Sequence, residues 1–174
     1  MTRSRARITG GVYLLYFLTA IFAQFLVGRT PAAYSDAANL LSIAFYIALT
    51  LLFYGMFKPV SRSLSLLAAF FSLVGCAVTV LSVFHLVSSH LPLWFFAPYC
   101  LLIGYLIFRS AFLPRTLGVL MVLAGLGWLA FLSPPLASHL STYIKVLGIL
   151  GEGALMLWLL VFGVNVQRRK EQAI

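Results

Sequence analysis

Glu152 is the one acidic residue inside a long apolar run of the sequence. A charged side chain at mid-bilayer costs about 2.5–3.5 kcal/mol on insertion scales, and such groups face a bundle interior or an aqueous cavity. Its flanks, Gly148, Gly151, Gly153 and Ala154, are small enough for a neighbouring helix to approach closely. Two chemistries fit. One is a proton carrier, a cation site or an anchor for a polar ligand. The other is a protonated carboxyl that ties two helices together by hydrogen bonds. Lys145 lies seven residues earlier on the same helical face, about 10 Å away along the axis. Helical side chains lean toward the N-terminus, so Lys145 is expected to snorkel to water rather than pair with Glu152.

The remaining reactive residue types are sparse. His85, His90 and His139 fall near one end of their segments. A bis-histidine haem needs two imidazoles facing each other across deep apolar walls. Only His85 is placed within a helix, and all three are read as interfacial. No H-E-x-x-H, paired carboxylate or Cys-x-x-Cys is present, so no metal or cofactor is expected. Cys76 and Cys100 read as free, buried, small apolar groups. No G-x-S-x-G or S-x-x-K frames a nucleophile, so no catalytic residue is named.

The elements that must position Glu152 follow from composition. The chain has 174 residues, 63% of them hydrophobic and 9% charged, with a mean hydropathy of +1.06. Soluble domains are near ~45–50% apolar and ~25% charged. A soluble enzyme, a disordered tail, a nucleic-acid reader and a disulfide scaffold are all excluded. The net charge of +9 comes mostly from basic residues in short gaps between apolar runs, as in polytopic membrane proteins. Six runs are expected at 8–28, 38–57, 64–88, 93–108, 116–133 and 143–164. They lack the alternation of barrel strands, so the fold class is an all-α, six-transmembrane-helix bundle, read as one domain over 1–174.

Turn chemistry marks the breaks. Arg29-Thr30-Pro31 ends the first helix and Ser35-Asp36 offers a cap for the second. Lys58-Pro59, the Arg109–Pro114 stretch and Ser133-Pro134-Pro135 mark later ends. Pro98 suggests a kink in the fourth helix. The first apolar run is too long for a signal-peptide core and is expected to be an uncleaved span.

Orientation is a count. Arg3, Arg5, Arg7, Lys58, Arg62, Arg109, Arg115, Arg168, Arg169 and Lys170 lie on one side, and Arg29 and Lys145 on the other. The basic side is cytoplasmic, which places both termini there, in a cell inner membrane. Arg62, Arg109 and Arg115 are candidates for anionic lipid heads. Arg62-Ser-Leu-Ser and Arg115-Thr-Leu-Gly open two helices alike, which fits either similar loops in apolar surroundings or a duplicated hairpin.

Depth then selects a layer. Glu152 lies nine residues from Tyr143, about 13 Å in. Counting each helix from its outer end puts Thr19, Tyr46 and Thr79 in that layer, with Tyr99 nearer the surface. The carboxyl is expected to be neutral there, since desolvation disfavours charge, and to hydrogen-bond a hydroxyl, a ligand or water. His85, Lys145 and Gln24 are the outer-face candidates. Trp94, Phe95 and Phe96 read as an outer aromatic belt.

Four stretches form a recognisable pattern: Ala6-Arg-Ile-Thr-Gly-Gly-Val-Tyr-Leu-Leu15, Leu51-Leu-Phe-Tyr-Gly-Met-Phe-Lys-Pro-Val-Ser-Arg62, Tyr99 to Gly118, and Gly151-Glu-Gly-Ala-Leu-Met-Leu-Trp-Leu-Leu160. The most specific part is Gly104-Tyr-Leu-Ile-Phe-Arg-Ser with Leu113-Pro-Arg and Leu117-Gly. The chain resembles the bacterial membrane family catalogued as domain of unknown function 4386. That resemblance implies a fold class and an inner membrane, and no reaction. The expectation is a membrane-embedded binding or transport module for a small molecule, proton or ion, centred on Glu152. A structural or accessory subunit is the alternative and an intramembrane lipid-acting enzyme the third reading. The expected partners are the bilayer, anionic lipid and a second copy of the chain, and not nucleic acid.

Overall fold

The computed structural model describes residues 3–130 and 133–171 of the chain, and all regular structure in them is helical. Six apolar helices run α1 Arg3–Leu26, α2 Ala32–Phe57, α3 Arg62–Val83, α4 Leu93–Arg109, α5 Arg115–Ala130 and α6 Pro134–Val161, followed by a short α7 Val166–Glu171. Four stretches, Ser4–Leu26, Ala32–Phe57, Arg62–Val83 and His139–Val161, are long and apolar enough to cross a membrane, while α4 and α5 are shorter apolar helices. The protein is therefore read as a helical membrane protein.

Several helix ends differ from the sequence expectation. Helix α2 begins at Ala32, so Ser35 and Asp36 lie inside it rather than capping it. Ser35 Oγ instead donates to the Ala32 carbonyl at 2.8 Å. Pro31 stands at the N-cap position, and Ala32-Ala33-Tyr34-Ser35 follow it as the first helical turn. Helix α6 starts at Pro134, nine residues before Tyr143, because proline is well suited to a first helical turn. His139 thus lies in a helix, not a turn. Helix α3 stops at Val83, short of Ser88. His85 has φ 58°, its N–H donates to Ser82 O at 3.0 Å, and the Leu86 N–H donates to Leu81 O at 2.9 Å. That is a Schellman cap with histidine in the place glycine usually takes, so His85 lies outside α3.

Each helix packs on its neighbours in sequence, and α6 returns to α1, closing a ring. Backbone-to-backbone contacts hold it. A Cβ at Gly104 would lie 3.0 Å from Gly118 O, and one at Gly118 would lie 2.9 Å from Gly104 O. The two most specific glycines of the sequence pattern thus fuse α4 to α5. Gly10 meets the Leu160 backbone and Gly151 the Leu120 carbonyl in the same way, so α6 is clamped between α1 and α5. Small residues allow this approach where lipid offers no hydrophobic drive.

The ring is filled at the end where α1, α3 and α5 begin. Phe57, Leu106, Ile107, Phe112, Leu113, Leu159 and Val164 belong to one buried cluster there. The stretch between α4 and α5 folds inward: Phe112 is 3% exposed and packs on Phe57 with ring centroids 6.0 Å apart. Its carbonyl accepts from Asn165 N–H at 3.3 Å. Phe112 and Leu113 therefore form a plug. Arg62 and Arg115 are the first residues of α3 and α5, so each opens its helix at this end.

Candidate functional site: the Glu152 cavity

Helix α6 carries Glu152 inward because Gly148 and Gly151 turn the neighbouring face onto α5: a Cβ at Gly148 would lie 2.5 Å from the Trp128 ring. Glu152 is 5% exposed. The Tyr13 hydroxyl, from α1, donates to Glu152 Oε2 at 3.0 Å. Tyr13 is 1% exposed and meets Phe53 edge to face with centroids 5.7 Å apart.

Above this pair lies a cavity of about 540 Å³, within the range of small-molecule sites. Five of the six long helices and Trp128 of α5 line it. Its apolar walls are largely aromatic: Tyr16, Phe17, Tyr46, Phe71, Phe96 and Trp128. The rings support one another, with Tyr16–Tyr46 centroids at 4.7 Å, Tyr46–Phe96 at 5.7 Å and Phe96–Trp128 at 5.8 Å. Polar groups are few: Glu152, Ser42, Ser72, Thr79, Asn39 and Gln24 share the lining. Thr50 and Ser72 hydroxyls bond to each other. Thr50 also donates to Tyr46 O at 2.8 Å, so its proton is used and Ser72 is the donor. The buried Tyr46 Oη forms no well-directed hydrogen bond.

The sequence candidates distribute as follows. Glu152, Tyr46, Thr79 and Gln24 line the cavity. Tyr99 is buried beside it, its ring 5.9 Å from that of Tyr46. Thr19 does not line it; its hydroxyl is used by its own helix, on Leu15 O at 2.8 Å and Tyr16 O at 3.0 Å. Lys145 and His85 are exposed and outside the lining. Arg62, Arg109 and Arg115 are exposed at the plugged end, with Arg109 6.0 Å from the Tyr105 ring centroid. Cys76 and Cys100 are both free and buried, and only Cys76 lines the cavity. Phe96 belongs to the cavity wall rather than to an outer aromatic belt, because its face of α4 turns toward α2 and α5.

Tyr13 was not among the sequence candidates. Counting depth from the outer ends treats the helices as level and favoured Thr19. The available signal was Gly10, one turn before Tyr13, which marks where α1 touches α6. Among the described residues, no group of three or more His, Cys, Asp or Glu side chains is placed to hold a metal.

Comparison with known proteins agrees with the sequence pattern. A protein of Archaeoglobus fulgidus named "Uncharacterized protein" is 27% identical over 147 residues, covering 80% of this chain and 90% of the relative. No solved structure matches. Residues 84–163, from the end of α3 through α6, match the family described as Domain of unknown function (DUF4386). That stretch, which holds both the Gly104–Gly118 contact and Glu152, is where the chain is similar to the DUF4386 family.

Proposed function

We propose that the protein is a six-span, membrane-embedded binding module whose site is the Glu152 cavity, with both termini cytoplasmic in a cell inner membrane. The observation that carries this is the cavity itself: about 540 Å³, aromatic-walled, with one carboxyl at its floor. Well-packed cores hold few voids larger than a water, so a space of this size beside a buried acid suits an occupant. The plug of Phe112 and Leu113 leaves the cavity one-ended, which suits reversible binding or one state of a transport cycle.

Helices α4 and α5, of 17 and 16 residues, reach about 24–26 Å. That is close to the ~30 Å hydrocarbon core, and the ring needs both to close. The excess of basic residues at the plugged end supports a cytoplasmic assignment. Arg62, Arg109 and Arg115 would then meet anionic lipid heads, and the exposed apolar faces would meet lipid or a second copy of the chain.

The native cysteines test the cavity. A small membrane-permeant maleimide should modify Cys76, and a ligand should slow that reaction, while Cys100 stays unmodified. Equal silence of both thiols, with the chain folded, counts against an accessible cavity. The Tyr13–Glu152 bond favours a second reading, a structural one, in which the pair locks α1 to α6. On that reading Glu152→Gln leaves every binding property unchanged.

A further inference from the structure

A ligand class follows from what surrounds Glu152, and it rests on the binding reading above. Two features bear on it: the charge at the floor and the character of the walls.

The floor offers a carboxyl that accepts a hydrogen bond from Tyr13. The other charged residue on its face of α6, Lys145, lies about 10 Å further along the axis and outside the lining. A buried carboxyl without a counter-charge favours its neutral form; a bound cation favours the carboxylate, whose proton is released to bulk water, and pairs with it. The lining that includes the carboxyl also holds the aromatic rings of Tyr16, Phe17, Tyr46, Phe96 and Trp128. Aromatic faces attract cations, by roughly 2 kcal/mol when desolvated. An anionic head would face both the acid and these negative ring faces. A small metal ion would find one carboxyl with neutral hydroxyls and amides, and among the described residues no group of three or more His, Cys, Asp or Glu side chains is placed to hold one.

The rim concerns the ligand's body. Contacts of α1 with α6 run from Arg7 Nη2 on Val161 O at 3.1 Å, through Gly10 on Leu160, to Tyr13 on Glu152. Beyond Tyr13 the cavity is lined by Ile21 of α1 and Ile149 of α6, which remain 61% and 58% exposed. Side chains that wall a cavity and are also exposed mark its rim. This rim lies on lipid-facing apolar helix faces, so an apolar ligand body continues from the cavity into hydrocarbon.

We infer that the Glu152 cavity takes a lipophilic organic cation, with its charge against Glu152 and the aromatic rings and its apolar body toward the seam between α1 and α6.

Two probes of the same shape and opposite charge separate this inference from the reading beneath it. Tetraphenylphosphonium and tetraphenylborate are titrated by equilibrium dialysis onto the full chain in lipid nanodiscs, with empty nanodiscs correcting for partition. The expected result is saturable binding of tetraphenylphosphonium alone. Glu152→Gln should weaken it by roughly tenfold to a hundredfold, and Glu152→Asp should restore most of it. Glu152→Gln still offers Tyr13 an acceptor, so folding is expected to survive, with the thermal midpoint as the control. Equal binding of both probes, or tetraphenylphosphonium affinity unchanged in a folded Glu152→Gln chain, overturns the cation inference and leaves a small-molecule cavity standing. Saturable binding of neither probe overturns the inference, and together with a silent Cys76 overturns the binding reading too.

Discussion

Tyr13 Oη and Glu152 Oε2 lie 3.0 Å apart although 139 residues separate them in sequence. The bond joins the first long helix to the last at the place where the ring closes, and it sets the floor of the cavity. Tyr13→Phe removes the donor without changing ring shape. It should lower stability by about 0.6–2 kcal/mol, the range of hydrogen bonds between transmembrane helices. A double-mutant cycle of Tyr13→Phe with Glu152→Ala, which removes the acceptor, read by unfolding in mixed micelles, should show a coupling of that size. Strict additivity of the two changes would mean that the pair carries no joint energy.

The glycines fall into two groups that stability measurements should separate. A Cβ at Gly104 meets Val122 Cγ2 at 2.7 Å and the Gly118 carbonyl at 3.0 Å, while one at Gly153 meets nothing within 4 Å. Gly104→Ala should cost about 1–3 kcal/mol by overpacking, and Gly153→Ala should stay within about 0.5 kcal/mol of the native chain. The measurement is the thermal midpoint of each purified variant, and similar losses in both would contradict the packing described.

His85 predicts the opposite sign. Its φ of 58° is a conformation that glycine adopts without a Cβ penalty. His85→Gly should be neutral or raise stability by up to about 1 kcal/mol, and it should leave ligand binding unchanged because His85 lies outside the cavity. A large loss of stability or of binding would assign the imidazole a role that its exposed position does not suggest.

The architecture was largely legible and the site only in part. Apolar runs interrupted by Pro and Lys/Arg located all six helices, because a lipid-facing helix must hide its backbone and cannot hide its charges. The ends were less legible where polar residues continue a helix. Ser35 and Asp36 resemble a cap, and Ser138 to Thr142 resemble a loop, yet both stretches are helical. Glu152 stood out because acids are rare in such runs. Tyr13 did not, because tyrosines are common here, eight in all, and their partners depend on how helices cross. The aromatic cavity wall was also hidden: Phe96 sits in a Trp-Phe-Phe run that has the composition of a membrane interface.

Orientation can be read from the outside of intact cells. In a chain with Cys76 and Cys100 replaced, Ser89→Cys should react with an impermeant thiol reagent and Ser4→Cys should react only after the membrane is opened. The reverse pattern would invert the bundle and place the cavity on the cytoplasmic side.

The most direct measurement fills the cavity. Ala20 lines it from α1, and Ala20→Trp would occupy that space with an indole. Tetraphenylphosphonium dialysis and thermal unfolding are then compared for the native chain and this variant. The cavity account predicts that Ala20→Trp stays folded, with a midpoint at or above the native value, and loses saturable binding. Undiminished binding in a folded Ala20→Trp chain would place the ligand elsewhere and contradict the account.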